Sequence, residues 1–331
     1  MISKPRFSIC IDGFGREDTI ISSIKSVFMQ TFCDYELLVS IPVSQITYTK
    51  KIYSFCENLG LTKFKIIPSI KTKTDVSLWN IPITHAEGEY IAMLEGDDMY
   101  LPTYLERANA VLSLNAKNTI GLLFSQSVHT FQSPESKEDL VRIFSPLESI
   151  NKFITYELIY PPSQSIFLAQ SYRGDRYLYN EDCVYAGEYD LYLRIAMDGY
   201  STVILNDAPN VVRRKNSYPR TYFHFIDVNR FYSNNLALGL YDEPLLFKKA
   251  RGRLYTQAVN MFARRLVMYY AIDFRLLGWI IKYKSMADNN NTFVNVFSAL
   301  SASISKFEFL NQPILMIHQI CTMLFIDKSK K

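Results

Sequence analysis

The sequence predicts an α/β fold with a mostly parallel central sheet flanked by helices. Short apolar runs typical of strands alternate with segments whose apolar residues recur at helical spacing. Such alternation implies parallel strands joined by right-handed crossovers. The chain has 331 residues, of which 48% are hydrophobic, enough for one large α/β domain plus an extension.

The elements are predicted in order from the amino terminus. A strand at 6–11 precedes a helix whose apolar face runs from Ile20 to Phe28, with Asp18 or Thr19 near its cap. The elements that follow are a strand at 35–39, a helix at 46–59 ending before Gly60, a strand at 64–68, a helix at 75–86 interrupted near Pro82, a strand at 90–94, a helix at 101–115 and a strand at 120–128. The polar, proline-punctuated stretch 133–149 predicts a loop or lid.

Three carboxylates follow the strand at 90–94, because Glu95, Asp97 and Asp98 stand on one short turn. Carboxylates this close repel one another unless a cation lies among them, and hard oxygen ligands suit Mg²⁺ or Mn²⁺. Open α/β sheets bind ligands at the carboxyl ends of their strands. The position therefore favours a metal ion shared with a diphosphate, and the alternative is an acidic turn that simply faces water.

A second group of charges begins a predicted amphipathic helix, where Glu188 and Asp190 stand at the amino-terminal end. Both side chains could simply cap the helix, since its dipole and free N–H groups stabilise carboxylates there. For Asp190 that alternative carries equal weight. Glu188 is the stronger candidate for a general base, because a carboxylate at the mouth of a pocket can accept a proton from a substrate hydroxyl.

A third group is basic and follows the apolar pair at 211–212. Arg213, Arg214 and Lys215 could be a solvated strand end, or they could neutralise a diphosphate leaving group.

The charge distribution divides the chain into two parts. Residues 1–212 hold 18 Lys and Arg against 25 Asp and Glu, whereas residues 213–331 hold 18 against 7. The acidic part suits a metal site, and the basic part suits phosphates or an anionic surface. The five cysteines form no CxxC pair and no leader-like apolar stretch is present, so we expect a reducing cytosol. No uncharged apolar stretch of about twenty residues occurs, so we expect no spanning helix.

The last third, residues 218–331, is predicted to be mainly helical. Its segment 255–283 combines basic and aromatic residues in a pattern typical of helices at an anionic membrane surface. Ordinary packing on the rest of the protein, with long basic side chains reaching water, explains the pattern equally well. Nucleic-acid binding is not expected, because the front part is acidic.

Five segments in a fixed order resemble the nucleotide-sugar glycosyltransferases of family 2. They are residues 14–17, 26–32, 79–80, 86–98 and 188–194. The resemblance covers roughly residues 5–217, about two-thirds of the chain. We therefore predict a GT-A glycosyltransferase domain at 1–217, followed by a helical region at 218–331 that associates with membranes or serves the acceptor. The resemblance implies a nucleotide-diphospho-sugar donor, a Mn²⁺ or Mg²⁺ ion and inversion at the anomeric carbon.

The resemblance also implies a role for each candidate residue. Asp97, with Asp98 beside it, would bind the metal, and Glu188 takes the place of the catalytic base. The residues implied in donor binding are Asp12, Phe14, Asn80, Glu95 near the ribose, and Arg213, Arg214 and Lys215 beside the diphosphate.

Two departures from the family pattern concern the nucleotide base. The first strand runs into residues 12–15, Asp-Gly-Phe-Gly, where the family usually has Pro-x-Tyr-Asn. The second strand is followed by Ser40 in place of the usual Asp-Asp-Gly-Ser turn that contacts uracil. Either Asp12 substitutes for the missing carboxylate, or the base is recognised differently, or donor binding is weaker.

The sequence thus predicts a metal-dependent inverting glycosyltransferase of cell-surface polysaccharide biosynthesis. Its acceptor would be a saccharide or a lipid-linked saccharide, and its location the cytoplasm or the inner face of the membrane. The alternative is a non-catalytic GT-A-like module that binds a glycan or serves as a scaffold. A nucleotidyltransferase would need a Gly-rich, Lys-bearing phosphate loop, which residues 12–16 barely resemble.

Overall fold

The computed structural model describes residues 4–70, 75–114, 119–128, 140–154, 158, 160–171, 173–183 and 187–213. Apart from Ile154, these belong to one compact unit of residues 1–153 and 157–218. Arg214, Lys215 and the helical region predicted at 218–331 lie outside the described residues. Their roles, and the predicted domain boundary after residue 217, stay predictions.

Within the described ranges the chain forms nine strands and six helices. The strands are β1 Phe7–Asp12, β2 Tyr35–Pro42, β3 Phe64–Ser69, β4 Tyr90–Glu95, β5 Met99–Tyr100, β6 Ile120–Ser127, β7 Val141–Phe144, β8 Ser165–Leu168 and β9 Ser201–Val212. The helices are α1 Ile20–Phe28, α2 Ile46–Asn58, α3 Asp75–Thr84, α4 Tyr104–Ser113, α5 Pro146–Ile154 and α6 Gly187–Met197. None of these helices has the length and hydrophobicity of a membrane-spanning segment.

All nine strands belong to one sheet, in the order β3-β2-β1-β4-β8-β6-β9-β5, with β7 added alongside β9. The four strands β3, β2, β1 and β4 are parallel, as are β6 and β9. The short β8 lies between β4 and β6 and runs antiparallel to both. The predicted α/β class with a mostly parallel sheet is confirmed, although β8 was not foreseen.

The first strands form the centre of the hydrophobic core. Every residue of β1 and β2 is buried, as is β4 up to Leu94. Near-continuous apolar strands are typical of sheets covered on both faces. Alternate β1 residues, Phe7, Ile9 and Ile11, share one core with apolar residues of α1, α2 and α4. The carboxyl ends of these strands are therefore held rigidly at one edge of the sheet.

The register of the parallel strands aligns those ends. Asp12, the last residue of β1, lies beside Ser40 of β2 on one side and beside Glu95 of β4 on the other. Because β1 is the middle strand of the three, the turn that follows it lies against the turn that follows β4. Residues far apart in sequence thus meet at this edge.

The prediction of a loop at 133–149 was wrong for its described part, which contains β7 and the beginning of α5. The backbone N–H and hydroxyl of Ser145 donate to the Glu148 carboxylate at 2.8 and 2.7 Å, and the Glu148 N–H donates back to Ser145 Oγ at 3.3 Å. This is a capping box, followed directly by Pro146 at the first helical position. The Ser-Pro-Leu-Glu sequence at 145–148 therefore starts a helix.

The predicted interruption at Pro82 was also wrong, because α3 continues through this residue to Thr84. Proline removes one N–H donor from a helix, but here it stands two residues before the helix ends. The helix that precedes Gly60 ends as predicted, and Gly60 has a φ of +73°, which glycine adopts without strain.

Candidate active site

The acidic turn begins at the end of β4 and is fixed by its own backbone. The Asp98 N–H donates to the Glu95 carbonyl at 2.9 Å, which closes the turn, and the Glu95 N–H donates to Ser163 Oγ at 2.9 Å. A Cβ atom at Gly96 would lie 2.5 Å from the Asp12 carbonyl oxygen. Only glycine therefore allows this turn to pack so closely against the end of β1.

Helix α1 holds the same turn from the other side. Thr19 Oγ1 donates to the Gly96 carbonyl and Ser23 Oγ donates to the Asp98 carbonyl, each at 2.7 Å. Thr19 stands at the amino-terminal cap of α1, as predicted, yet its hydroxyl bonds the acidic turn and not the first N–H groups of its own helix. The first β-α unit thus orients the carboxylates.

Two arginines lie among the three carboxylates. Arg16 Nη1 is 3.1 Å from Asp97 Oδ2. Arg213 lies with Nε 3.6 Å from Asp98 Oδ2 and Nη2 4.0 Å from Glu95 Oε2. The structure thus brings Arg213, a predicted donor-binding residue, to the acidic turn. It also adds Arg16, which the sequence analysis did not single out.

The carboxylates of the turn do not form a water-facing surface. The Asp97 and Asp98 side chains are 4% and 3% exposed, and that of Glu95 is 16% exposed. Desolvation and the nearby Asp98 charge raise the pKa of Glu95 to about 7, although Arg213 acts in the opposite direction. Burying several like charges is costly without compensation, so the two arginines stabilise the turn.

Glu188 lies in the first turn of α6 and is buried, with 9% of its surface exposed. Burial raises the pKa of Tyr192 and of Tyr179, and the negative charges of Glu188 and Glu95 both add to the increase at each phenol. The Tyr192 hydroxyl, one turn after Glu188 in α6, donates to the Tyr160 carbonyl at 3.3 Å. Ser163, three residues further along that segment, accepts the Glu95 N–H at 2.9 Å, so residues 160–163 join α6 to the acidic turn.

The beginning of α6 is held by close packing against α3. A Cβ atom at Gly187 would lie 2.8 Å from Val76 Cγ1, so the two helices touch at this glycine. Asp190, for which helix capping was the alternative, forms a 2.7 Å ion pair with Arg194 one turn later. Arg194 also donates to the Leu178 carbonyl at 2.5 Å, which ties α6 to the segment before it.

Asn80 of α3 binds the backbone of that segment. Its amide nitrogen donates to the Tyr179 carbonyl at 2.9 Å and to Glu181 Oε1 at 3.1 Å, and its oxygen accepts from the Tyr179 N–H at 2.8 Å. Asn80 is buried, and its described bonds position the chain that leads to Glu188. Its predicted contact with the donor stays a prediction.

Asp12 is the last residue of β1, and Phe14 lies in the loop that follows. The Phe14 N–H donates to Asp12 Oδ1 at 3.0 Å, and the Gly13 N–H donates to the Ser40 carbonyl at 2.9 Å. Asp12 is buried and Phe14 is half-buried. Asp12 therefore lies next to Ser40, where the family's uracil-contacting carboxylate is missing, and its role toward the base stays a prediction.

The donor set of the turn can be compared with what a divalent ion requires. Among the described residues, no group of three or more His, Cys, Asp or Glu side chains is close enough to enclose an ion. Mg²⁺ is normally held by one or two carboxylates together with substrate phosphates and water, and not by an all-protein cage. Asp97 and Asp98 fit an ion of that shared kind.

The residues that the sequence analysis missed are Arg16, Ser163, Tyr179 and Tyr192. One signal was available for Arg16, because a cation in the loop after β1 must approach the loop after β4 if these strands are neighbours. The tyrosines carried no comparable signal, since their spacing is that of ordinary core residues.

The sheet, the acidic turn and the carboxylate at the start of α6 together define an α/β protein of the GT-A class. Among solved structures, Staphylococcus aureus TarS 1–349 in complex with UDP superposes with a TM-score of 0.52 at 16% identity, over 85% of this chain and 90% of that one. A mannosyltransferase from Pyrobaculum calidifontis, in complex with GDP-Man and Mn²⁺, gives 0.53 at 14% identity, over 98% and 86%. These similarities confirm the GT-A fold.

Residues 8–174 match the family model described as glycosyl transferase family 2, and the chain belongs to that family. A curated relative from Escherichia coli, the UDP-Glc:alpha-D-GlcNAc-diphosphoundecaprenol beta-1,3-glucosyltransferase WfgD, is 29% identical over 117 residues. That match covers 35% of this chain and 44% of the relative, so the similarity spans less than half of the relative's length.

Proposed function

We propose that the protein is an inverting glycosyltransferase that moves a sugar from a nucleotide-diphospho-sugar to a saccharide or lipid-linked saccharide acceptor. One observation carries the proposal: the segment 160–163 contacts α6 through Tyr192 and the acidic turn through Ser163, which accepts the Glu95 N–H. The helix with a candidate base is thus linked to the turn with a candidate diphosphate site, which supports a displacement between donor and acceptor.

The comparisons support the classes of donor and acceptor. TarS 1–349 has been solved with UDP and with UDP-GlcNAc, and WfgD is named for a UDP-glucose donor and a diphosphoundecaprenol-linked acceptor. By analogy, we infer a role in building a cell-surface polysaccharide. The reaction would take place in the cytoplasm or at the inner face of the membrane, where nucleotide sugars are made.

In this mechanism Glu188 is the general base. Its carboxylate accepts the proton of an acceptor hydroxyl, whose oxygen forms a bond to the anomeric carbon of the donor. The bond from that carbon to the diphosphate breaks at the same time, and the diphosphate leaves with the electron pair. A single displacement of this kind inverts the anomeric centre. A positioned general base contributes about 10²- to 10⁴-fold in rate.

The departing diphosphate acquires negative charge, which this chain can stabilise with Arg213. Its guanidinium already lies beside Asp98 and Glu95 at distances of 3.6 and 4.0 Å. Fixed cations at the place where charge develops lower the barrier more than mobile ones. Asp97 and Asp98 would hold a Mn²⁺ or Mg²⁺ ion, which supplies Lewis-acid stabilisation of the diphosphate when it is bound.

One observation favours the alternative of a non-catalytic GT-A module. Arg16 already pairs with Asp97 at 3.1 Å, so the carboxylate has a cation without any metal. Ser40 stands where the family usually has a carboxylate that contacts uracil, and its loss also favours a module that does not bind a nucleotide sugar. Such a module would bind a glycan and transfer nothing.

A two-stage experiment separates these functions. The full chain is first screened by thermal shift against UDP-, GDP- and dTDP-sugars with and without Mn²⁺, and each stabilising donor is then tested for sugar transfer to saccharide and lipid-linked acceptors by mass spectrometry. Mn²⁺-dependent stabilisation followed by an inverted product supports the enzyme. Stabilisation by glycans but by no nucleotide sugar would establish the non-catalytic module.

A further inference from the structure

Arg16 has a backbone that the fold holds in place. It lies in the loop between β1 and α1, directly after Gly15, whose φ is +67°. The Arg16 carbonyl accepts hydrogen bonds from the N–H groups of Thr19 and Ile20, at 3.0 and 2.9 Å, at the point where α1 starts. These bonds tie the Arg16 backbone to the start of α1.

The aliphatic part of the Arg16 side chain is also fixed, because it packs on the acidic turn. A Cβ atom at Gly96 would lie 3.0 Å from Arg16 Cγ and 3.1 Å from Arg16 Cβ. The absence of a side chain at residue 96 therefore gives the stem of Arg16 its place. Only the guanidinium extends beyond, to Asp97 Oδ2 at 3.1 Å.

The exposure of the two partners differs. The Arg16 side chain is 19% exposed, whereas that of Asp97 is 4% exposed. The Arg16 side chain therefore has more contact with solvent than the carboxylate it pairs with. Of the pair, Arg16 is the partner that can leave.

A guanidinium and a divalent ion cannot both bind Asp97 closely without strong mutual repulsion. Two positive groups a few ångströms apart repel by several kcal/mol at the effective dielectric of a partly buried site. Arg213 adds a second cation that faces Asp98 at 3.6 Å. With two arginines for three carboxylates, the turn keeps only one uncompensated negative charge if Glu95 is ionised.

We propose that Arg16 is an exchangeable counter-ion of Asp97. Without ligand it neutralises the buried carboxylate; when the donor arrives with its divalent ion, the guanidinium leaves Asp97 and turns to the donor diphosphate. This inference rests on the proposed function, since it presupposes a diphosphate donor. Arg16 would then act on the ion through Asp97 and on the donor directly, by binding its diphosphate.

The exchange has a functional consequence. The free protein would bind a divalent ion weakly, because the ion must displace the Arg16 guanidinium from Asp97. When the donor is present, its diphosphate binds the displaced guanidinium and offsets the free energy lost at Asp97. Metal and donor therefore bind together. The turn remains folded in their absence, because its charges are already compensated.

The test measures Mn²⁺ binding to the full chain without nucleotide, by the electron paramagnetic resonance signal of the free ion. Arg16→Gln removes the competitor and is expected to bind Mn²⁺ about tenfold more tightly, the value of one charge-assisted interaction. Arg16→Lys keeps the charge and should remain near the unmodified chain. Lys65→Gln is the matched control, because Lys65 pairs with Glu87 on the surface with side chains 50% and 64% exposed.

A second titration tests the other half of the exchange. In the presence of saturating Mn²⁺, Arg16→Gln should bind the donor nucleotide about tenfold more weakly, because the diphosphate loses a cation. Opposite effects on the ion and on the nucleotide distinguish an exchange from simple structural damage, which would weaken both. Equal or weaker Mn²⁺ binding by Arg16→Gln in the folded variant overturns the proposal.

A nuclear magnetic resonance measurement on the unmodified chain tests the exchange without any substitution. The Nε–Hε resonance of Arg16 should shift on addition of Mg²⁺ and UDP, and a resonance that stays unchanged while UDP binds overturns the exchange. Sugar transfer is assayed on the same samples. An active enzyme whose Mn²⁺ affinity ignores Arg16 overturns the exchange alone, whereas cation exchange without any sugar transfer overturns the proposed function alone.

Discussion

Gly96 shows how strongly one residue constrains the site. A Cβ atom there would meet the Asp12 carbonyl at 2.5 Å, and that oxygen belongs to the backbone of a fully buried strand. The contact cannot be relieved by a rotation of a side chain. Interior overpacking of this kind costs about 1–3 kcal/mol.

We therefore expect Gly96→Ala to lower the free energy of unfolding by about 1–3 kcal/mol and to abolish Mn²⁺-dependent donor binding. Urea denaturation and a donor titration check the two effects. Gly60→Asn is the matched control, because Gly60 has open space around it and a φ of +73° that asparagine tolerates. Wild-type stability and donor binding in Gly96→Ala would show that the turn can relax.

Glu188 is expected to act only in the chemical step. Glu188→Gln keeps the size of the side chain but removes the proton acceptor, so turnover should fall by about 10²- to 10⁴-fold. Donor affinity should stay within about twofold, since the donor contacts proposed above lie on other residues. The measurement is kcat and donor Kd. Asp190→Asn removes one negative charge from the same helical turn and serves as the control. Unchanged turnover in Glu188→Gln would exclude Glu188 as the base.

The acidic residues of the candidate site could be recognised in the sequence, but the arginines that pair with them could not all be recognised. Glu95, Asp97, Asp98 and Glu188 stand in recognisable patterns at the ends of predicted elements. The pairing of Arg16 with Asp97 depends on which strand lies beside which, and the chain between them gives no local signal. A candidate site could therefore be proposed from the sequence, whereas the cations that balance its charge could not all be identified.

Among the elements, α5 begins with a capping box in a stretch whose composition predicted a loop. Ser145 and Glu148 exchange three hydrogen bonds at the start of this helix. Ser145→Ala removes two of them, so we expect a loss of about 0.5–2 kcal/mol in the free energy of unfolding.

Urea denaturation with far-ultraviolet circular dichroism measures this loss. Ser113→Ala is the control, because the Ser113 hydroxyl is exposed at the end of α4 and bonds only the Asn109 side chain among its described contacts. A change of less than about 0.3 kcal/mol in Ser145→Ala, equal to that of the control, would show that the box contributes nothing.

Three strands that were predicted correctly share a physical origin. β1, β2 and β4 are buried along nearly their whole length, and such strands are continuous apolar runs in the sequence. β5 and β8 have two and four residues, which is too short for a period to appear. β7 has only intermediate and exposed residues, and Arg142 interrupts its apolar residues. Burial does not explain every case, because β3 was predicted although most of it is not buried, whereas the buried run at the start of β9 was not predicted.

At the scale of the molecule, the family assignment and the charge distribution concern different parts of the chain. The family model covers residues 8–174, which lie in the acidic part. The excess of Lys and Arg lies in residues 213–331, of which only Arg213 is among the described residues. A function for the basic part is therefore predicted from the sequence alone, and membrane attachment suits a lipid-linked acceptor.

We expect the full chain to bind vesicles that contain an anionic lipid and to be released by salt. Basic residues near an anionic surface contribute about 1 kcal/mol each, and the interaction is screened beyond about 10 Å at 0.1 M salt. Cosedimentation with phosphatidylglycerol vesicles at low and high salt measures the effect, with neutral phosphatidylcholine vesicles for comparison. The double variant Arg264→Gln, Arg265→Gln should bind about tenfold more weakly, and Lys65→Gln, which removes a charge from the acidic part, should bind normally. Equal binding to anionic and neutral vesicles would contradict electrostatic membrane attachment, and so would binding to neither. The basic residues would then serve in packing.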